Sequence, residues 1–172
     1  MIRSFATGCL AVLIVFGSPA FAQDTAPQGT FVVTTPDDTG INTAIDNAVA
    51  KMNFLFRAVA RGRLHDTNPR YQRLEIHVTD AQVSVQFDRR TPILMPATGA
   101  PVKWKREDGE VFDVSAQVGA DALTQTFKSE EGQRVNEFRL HSDGTLSLDV
   151  TVTSPKLPAP VKYTLQFRRE SD

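Results

Sequence analysis

Between residues 41 and 59 apolar side chains recur every three or four positions: Ile41, Ile45, Ala48, Val49, Met52, Leu55, Phe56 and Val59. At about 100° per residue they share an arc of roughly 120°, the width of the buried stripe on an amphipathic helix. Asn42, Thr43, Asp46, Asn47, Lys51, Asn53, Arg57 and Arg61 fall on the opposite arc. The pattern predicts one long helix of about 20 residues, hence about 30 Å. Asp38 or Thr39 supplies its N-cap, Gly62 its stop, and Asn68-Pro69 lies beyond its end. Phe54 breaks the pattern. It sits on the polar arc, so either another segment covers it or it is exposed as a lid or partner contact.

From Arg73 onward the period changes to two. Leu74, Ile76 and Val78 alternate with polar residues, as do Val83, Val85 and Phe87, then Val102 and Trp104. Phe112, Val114, Ala116 and Val118 continue the rule, followed by Leu123 and Phe127, by the segment from Val135 to His141, and by Leu146, Leu148, Val150 and Val152. The last run is Val161, Tyr163, Leu165 and Phe167. Asp108-Gly109 and Asp143-Gly144 mark tight turns. Two shorter candidates, Thr30 to Thr34 and Thr91 to Met95, bring the expected total to about 7–9 strands. Short connections without crossover helices require antiparallel neighbours, so the chain reads as a meander.

The fold class is therefore mainly β (α+β). One apolar face per strand and so many strands predict a curled sheet, an open or closed barrel, packed against the one N-terminal helix. The helix is longer than a strand of about six residues at ~3.3 Å each, so it lies across the barrel mouth or along the concave side. This pattern resembles the lipocalin-type and envelope lipid-carrier barrels, a resemblance of architecture without a family motif. A seven-strand sandwich is the alternative, and it leaves the helix without a seat.

The first residues belong to a different kind of segment. Met1-Ile2-Arg3, the apolar run Leu10 to Phe16 and Ala20-Phe21-Ala22 read as a signal peptide, residues 1–22, cleaved before Gln23. Residues 23–38 then form a loose leader with a possible short strand, and residues 39–172 a single domain. The only cysteine, Cys9, leaves with the signal, so the mature chain has no disulfide, thiol nucleophile or thiolate ligand. A signal of this type and a cysteine-free chain point to the periplasm, with secretion as the alternative. No second apolar run is long enough to span a membrane.

The formal net charge of −1 hides an asymmetry. Residues 57–106 carry ten cations against four carboxylates, while residues 107–172 carry seven against twelve. Arg57, Arg61 and Arg63 at the helix end, with Arg89 and Arg90 after the first hairpin, are candidates for a positive rim that holds an anionic lipid head group. Trp104, between Lys103 and Lys105, is the aromatic candidate beside them; a core position is its plainer reading. Export, a slightly acidic whole and no stacking motif argue against nucleic acid.

Candidate chemistry is sparse. No nucleophile elbow, phosphate loop, dinucleotide fingerprint or Ca²⁺ loop is present. His77 and Glu75 share one strand face but lack further ligands, so no metal site is assigned, and no cofactor. Glu137 and Asp149 are the one carboxylate pair worth weighing for glycosidic chemistry, and Asp149 lies on an outward face. The expectation is a non-enzyme. Two classes remain: a carrier of a small amphiphile or anionic lipid between helix and sheet, or an interaction module of the cell envelope with a filled core. The large inward residues Phe87, Phe112, Phe127, Phe138, Phe167 and Trp104 favour the filled core, and the helix as a lid favours the carrier, which is the preferred reading.

Overall fold

The computed structural model describes residues 26–170. The signal segment read from the sequence lies outside the described residues. Strands β1 (Gly29–Val33), β2 (Arg73–Val78), β3 (Gln82–Phe87), β4 (Ile93–Pro96), β5 (Val102–Lys105), β6 (Val111–Val118), β7 (Ala122–Ser129), β8 (Gly132–Leu140), β9 (Thr145–Thr153) and β10 (Val161–Arg169) form one sheet. Its order is β4-β3-β2-β1-β10-β9-β8-β7-β6-β5, every neighbouring pair antiparallel. The two edge strands, β4 and β5, come together without a hydrogen-bonded ladder, which nearly closes the barrel.

Strand parity held as read. Leu74, Ile76, Val83, Val85, Val114, Leu123, Phe138, Leu146, Leu148, Leu165 and Phe167 are all buried. Among the described residues the count is ten, one above the range expected: both short candidates are strands, and Leu123 and Phe127, read as a continuation, lie on a strand of their own, β7. Thr30 to Thr34, placed in the leader, is not peripheral: β1 pairs with β2 on one side and β10 on the other, and Phe31 is fully buried. Its run of apolar residues was too short to signal a strand by periodicity alone.

The single long helix is corrected. Two helices stand between β1 and β2: α1 (Thr39–Val49) and α2 (Phe54–Thr67). The break has a local cause in Asn53, which leaves helical geometry (φ −55°, ψ 136°) while its side chain accepts the Leu55 N–H at 3.0 Å. Asn53 thus competes for the first turn of a new helix instead of continuing the old one. Arg57 seals the other side, its guanidinium donating to the carbonyls of Ala50 and Met52 at 2.8 and 2.9 Å. Gly62 is no stop; α2 runs on to Thr67.

The break also turns the second half of the predicted stripe away from the core. In α1, Ile41, Ile45, Ala48 and Val49 are buried as expected, against β10 and α2. In α2 only Leu64 is buried, whereas Leu55, Phe56 and Val59 are 64%, 65% and 73% exposed. Met52 is half-buried rather than core. A helical wheel holds only while the helix does.

Two glycines make opposite predictions. At Gly132 φ is +151° and an added Cβ would lie 2.2 Å from the Thr153 carbonyl oxygen, so Gly132→Ala should destabilise by about 2 kcal/mol. Gly62 lies inside exposed α2 with nothing within 4 Å of such a Cβ, so Gly62→Ala should stabilise by about 0.5–1 kcal/mol. Denaturant unfolding of both variants reads the two signs.

Candidate functional site

The helix pair covers one end of the barrel incompletely. Between α2, the β7–β8 turn and the proline-rich β9–β10 loop opens a cleft of about 1050 Å³. Its walls are mostly apolar: Met52 from the break between the helices, Phe56, Val59, Ala60 and Leu64 from α2, Phe112 from β6, Val152 from β9 and Leu157 from the loop. The loop is tethered to the facing turn by the ion pair of Lys156 with Glu131, whose hydrogen bond holds the Glu131 carboxyl below its usual pKa. Beside it, between the end of α2 and the β3–β4 and β5–β6 turns, lies a second, inner space of about 250 Å³, bounded by Tyr71, Phe87, Trp104, Phe112 and Phe127. Thr67, Arg106, Phe112 and Arg134 line both.

Arg134 is the residue that sets the chemistry here. It occupies an inward position of β8, cross-strand from Phe127 of β7 and Val152 of β9. Its Nε donates to Asn136 Oδ1 at 2.8 Å, and Nη1 to Asn68 Oδ1 at 3.0 Å and to the Thr67 carbonyl at 3.2 Å. Nη2 donates to the Tyr163 hydroxyl at 3.3 Å, which in turn donates to Asn68 Oδ1 at the same distance. Buried Asn136 continues the chain inward, donating to Gln125 Oε1 at 3.1 Å. All these acceptors are neutral, and Arg134 makes no ion pair among the described residues.

Arg134 is half-buried, so the part of its guanidinium withdrawn from water carries a desolvation cost that no counter-ion of the protein offsets. Burial works against the Arg134 charge, but the Tyr163 and Tyr71 phenols and the Tyr163 hydrogen bond outweigh it, so its pKa lies above the usual value. Burial raises the Tyr163 pKa, which keeps the phenol neutral. The hydrogen bonds use one N–H of Nη2, and its other N–H has no partner among the described residues.

Arg106 shows the contrast. It pairs with Asp108 at 2.7 Å and with Glu110 at 2.6 Å, and its guanidinium lies 5.1 Å from the centre of the Phe112 ring. The Arg106 hydrogen bond, with the Glu110 backbone N–H, holds the Asp108 carboxyl at about 2. Arg106 is thus neutralised by its neighbours, and Arg134 is not.

The predicted rim does not assemble as one patch. Arg57 is spent on the helix break, and Arg61 pairs with Asp46 at 2.7 Å; neither lines a cavity. Arg63 lines the outer cleft, 3.4 Å from Glu110. Arg90 and Trp104 line the inner space, while exposed Arg89 lines neither. Phe54 is 75% exposed at the start of α2 and does not line the cleft that Phe56 and Val59 wall. Glu137 and Asp149 are direct cross-strand partners outside both cavities, one paired with Arg139 and the other accepting from Thr164. His77 is exposed on β2 and Glu75 pairs with Arg73. Among the described residues no cluster of three metal-ligating side chains occurs, and no helix is long and apolar enough to cross a membrane.

Arg134 itself was missed, although the sequence carries a cue. It has the same strand parity as Asn136 and Phe138, so it had to point where Phe138 points. A charged residue on the apolar face of a strand is the informative exception.

No family model and no curated protein matches this chain. Solved structures do. A REP1-NXSQ fatty acid transporter superposes with a TM-score of 0.53 at 13% identity, over 84% of this chain and 96% of that one. Fatty-acid-binding protein 1 of Echinococcus granulosus gives 0.53 at 11%, over 84% and 97%. A fatty acid binding protein of Schistosoma mansoni in complex with arachidonic acid gives 0.51 at 14%, over 84% and 96%. At these identities the likeness establishes the fold: a ten-stranded, nearly closed antiparallel barrel with two helices.

Two substitutions test the local account of the mouth. Asn53→Ala should cost about 1 kcal/mol through loss of the α2 cap. Phe54→Ser should shift stability by no more than about 0.5 kcal/mol, as expected of an exposed side chain. Paired chemical denaturation curves measure both.

Proposed function

We propose that this protein is a non-catalytic carrier of a small anionic amphiphile, with the ligand's carboxylate on Arg134 and its apolar body in the cleft beneath α2. The observation that carries the reading is the guanidinium of Arg134. It is held inside the barrel by neutral acceptors only, at the floor of an apolar cleft of about 1050 Å³. A monoanionic head group supplies the counter-charge that the protein does not, and it accepts the spare N–H through a charge-assisted bond. The cleft is of the size and lining typical of small-molecule sites. Solved proteins of the same fold whose names give fatty acids as their cargo support the ligand class.

In this reading Phe56 and Val59 are exposed because the ligand is the partner they lack. The signal segment supports export, with the periplasm as the working compartment. Phe54 and Leu55, exposed but outside the cleft, favour a second role for the start of α2 as a contact surface for an envelope partner.

The test is calorimetric titration of palmitic acid into the parent protein and Arg134→Gln. A hydrogen bond to a charged group is worth about 1.5–3 kcal/mol, so the variant should bind roughly ten- to a hundredfold more weakly. Arg89→Glu should bind as the parent does. Because the pair is sheltered, parent affinity should change little as salt rises, unlike a surface attraction screened over about 10 Å at 0.1 M. Equal binding by parent and Arg134→Gln would defeat the proposal.

A further inference from the structure

The two spaces that meet at Arg134 differ in chemistry. The apolar walls of the outer cleft are chiefly aliphatic, with Met52 between the helices, Val59 and Leu64 of α2, Val152 of β9 and Leu157 of the loop, beside the two rings of Phe56 and Phe112. The inner space is aromatic on two sides, and the exposed side chains Asp66, Glu107 and Asp108 stand at its rim, Asp108 paired with Arg106. On one aromatic side, Tyr71 and Phe87 lie 4.3 Å apart between ring centres. On the other, Trp104, Phe112 and Phe127 form a triangle with centre-to-centre separations of 5.5, 6.0 and 6.2 Å, two of the three contacts edge-on. The guanidiniums of Arg134 and Arg90 stand 5.9 and 6.0 Å from the Tyr71 ring centre, and neither makes an ion pair among the described residues.

From this asymmetry we infer that the inner space is a ring pocket: the ligand is a carboxylate joined to an aromatic or fused-ring group, with an aliphatic tail that trails into the outer cleft. The inference rests on the carrier reading above and specifies its ligand class. Ring walls in offset and edge-on contact reward another ring beyond the area it buries, whereas a methylene chain gains the area alone. Planar guanidiniums over a ring favour the same guest. The inner space, about 250 Å³, suits a small fused-ring group. Arg134 lines both spaces, so a carboxylate attached to the ring reaches it with the ring seated inside.

The chain's sole tryptophan, Trp104, lines the inner space and serves as the reporter. The probes are a naphthoic acid bearing an octyloxy tail and palmitic acid, titrated into the full mature chain by calorimetry and Trp104 fluorescence. The naphthoic acid should bind at least about tenfold tighter and should quench Trp104 strongly, while palmitic acid should leave that emission nearly unchanged. Phe87→Leu and Phe127→Leu should each weaken naphthoic acid by about three- to tenfold and palmitic acid by less than about twofold. Palmitic acid binding as tightly as the naphthoic acid, or naphthoic binding without Trp104 quenching, would overturn the ring pocket and leave the carrier standing. Failure of both acids to bind the parent would remove the carrier reading and this inference with it. The comparison in the parent protein decides the matter even if a core variant fails to fold.

Discussion

A guanidinium inside a barrel is tolerable only if its donors are met, and the arrangement around Arg134 joins elements far apart in sequence. Its acceptors come from the end of α2 (Thr67 and Asn68), from β8 itself (Asn136) and from β10 (Tyr163). Asn68 is itself anchored, its side-chain amide donating to the Leu64 carbonyl at 2.8 Å. The helix end, the eighth strand and the last strand are therefore fixed to one another by a single charge. A half-satisfied buried network destabilises a fold, and a satisfied one gives it a unique arrangement. The residual demand, a positive charge without a negative one, is what a ligand can answer.

The second constraint is the interruption at Asn53. A continuous helix would have laid Leu55, Phe56 and Val59 onto the barrel and filled its mouth. Two helices meeting at a capped break leave those side chains beside an open cleft instead. Apolar surface in water is unfavourable by about 25 cal/mol per Å², so the exposed wall is a cost of folding that binding can recover. The barrel holds both a filled part and an open one: Phe31, Phe138 and Phe167 are fully buried, and space remains beside α2.

Charge is distributed by the same logic. Most arginines of the basic segment are occupied locally: Arg57 by carbonyls, Arg61 by Asp46, Arg70 by Asp38, Arg73 by Glu75 and Glu170, Arg106 by Asp108 and Glu110. Exposed pairs of this kind contribute little to stability, but they remove these cations from competition for a ligand. The asymmetry of charge along the chain is real, and it does not translate into one rim.

The strands, their facing and their antiparallel order were legible because alternation and turn residues are local signals: Leu74 to Val78 or Leu146 to Val152 can satisfy a period of two in only one way. The first helix was legible for the same reason, through Ile41, Ile45, Ala48 and Val49. What the tertiary structure decided depends on competition between distant or alternative partners. Asn53 could serve a helix interior or a cap, and the choice is made by Arg57 and by the packing of α1. Thr30 to Thr34 became a central strand only because β2 and β10 were there to flank it. The parity of Arg134, a cue missed in the sequence, directs it inward, and its lack of a counter-ion is a property of everything that surrounds it. Periodicity reports which way a side chain points; only the assembled barrel determines what it meets there.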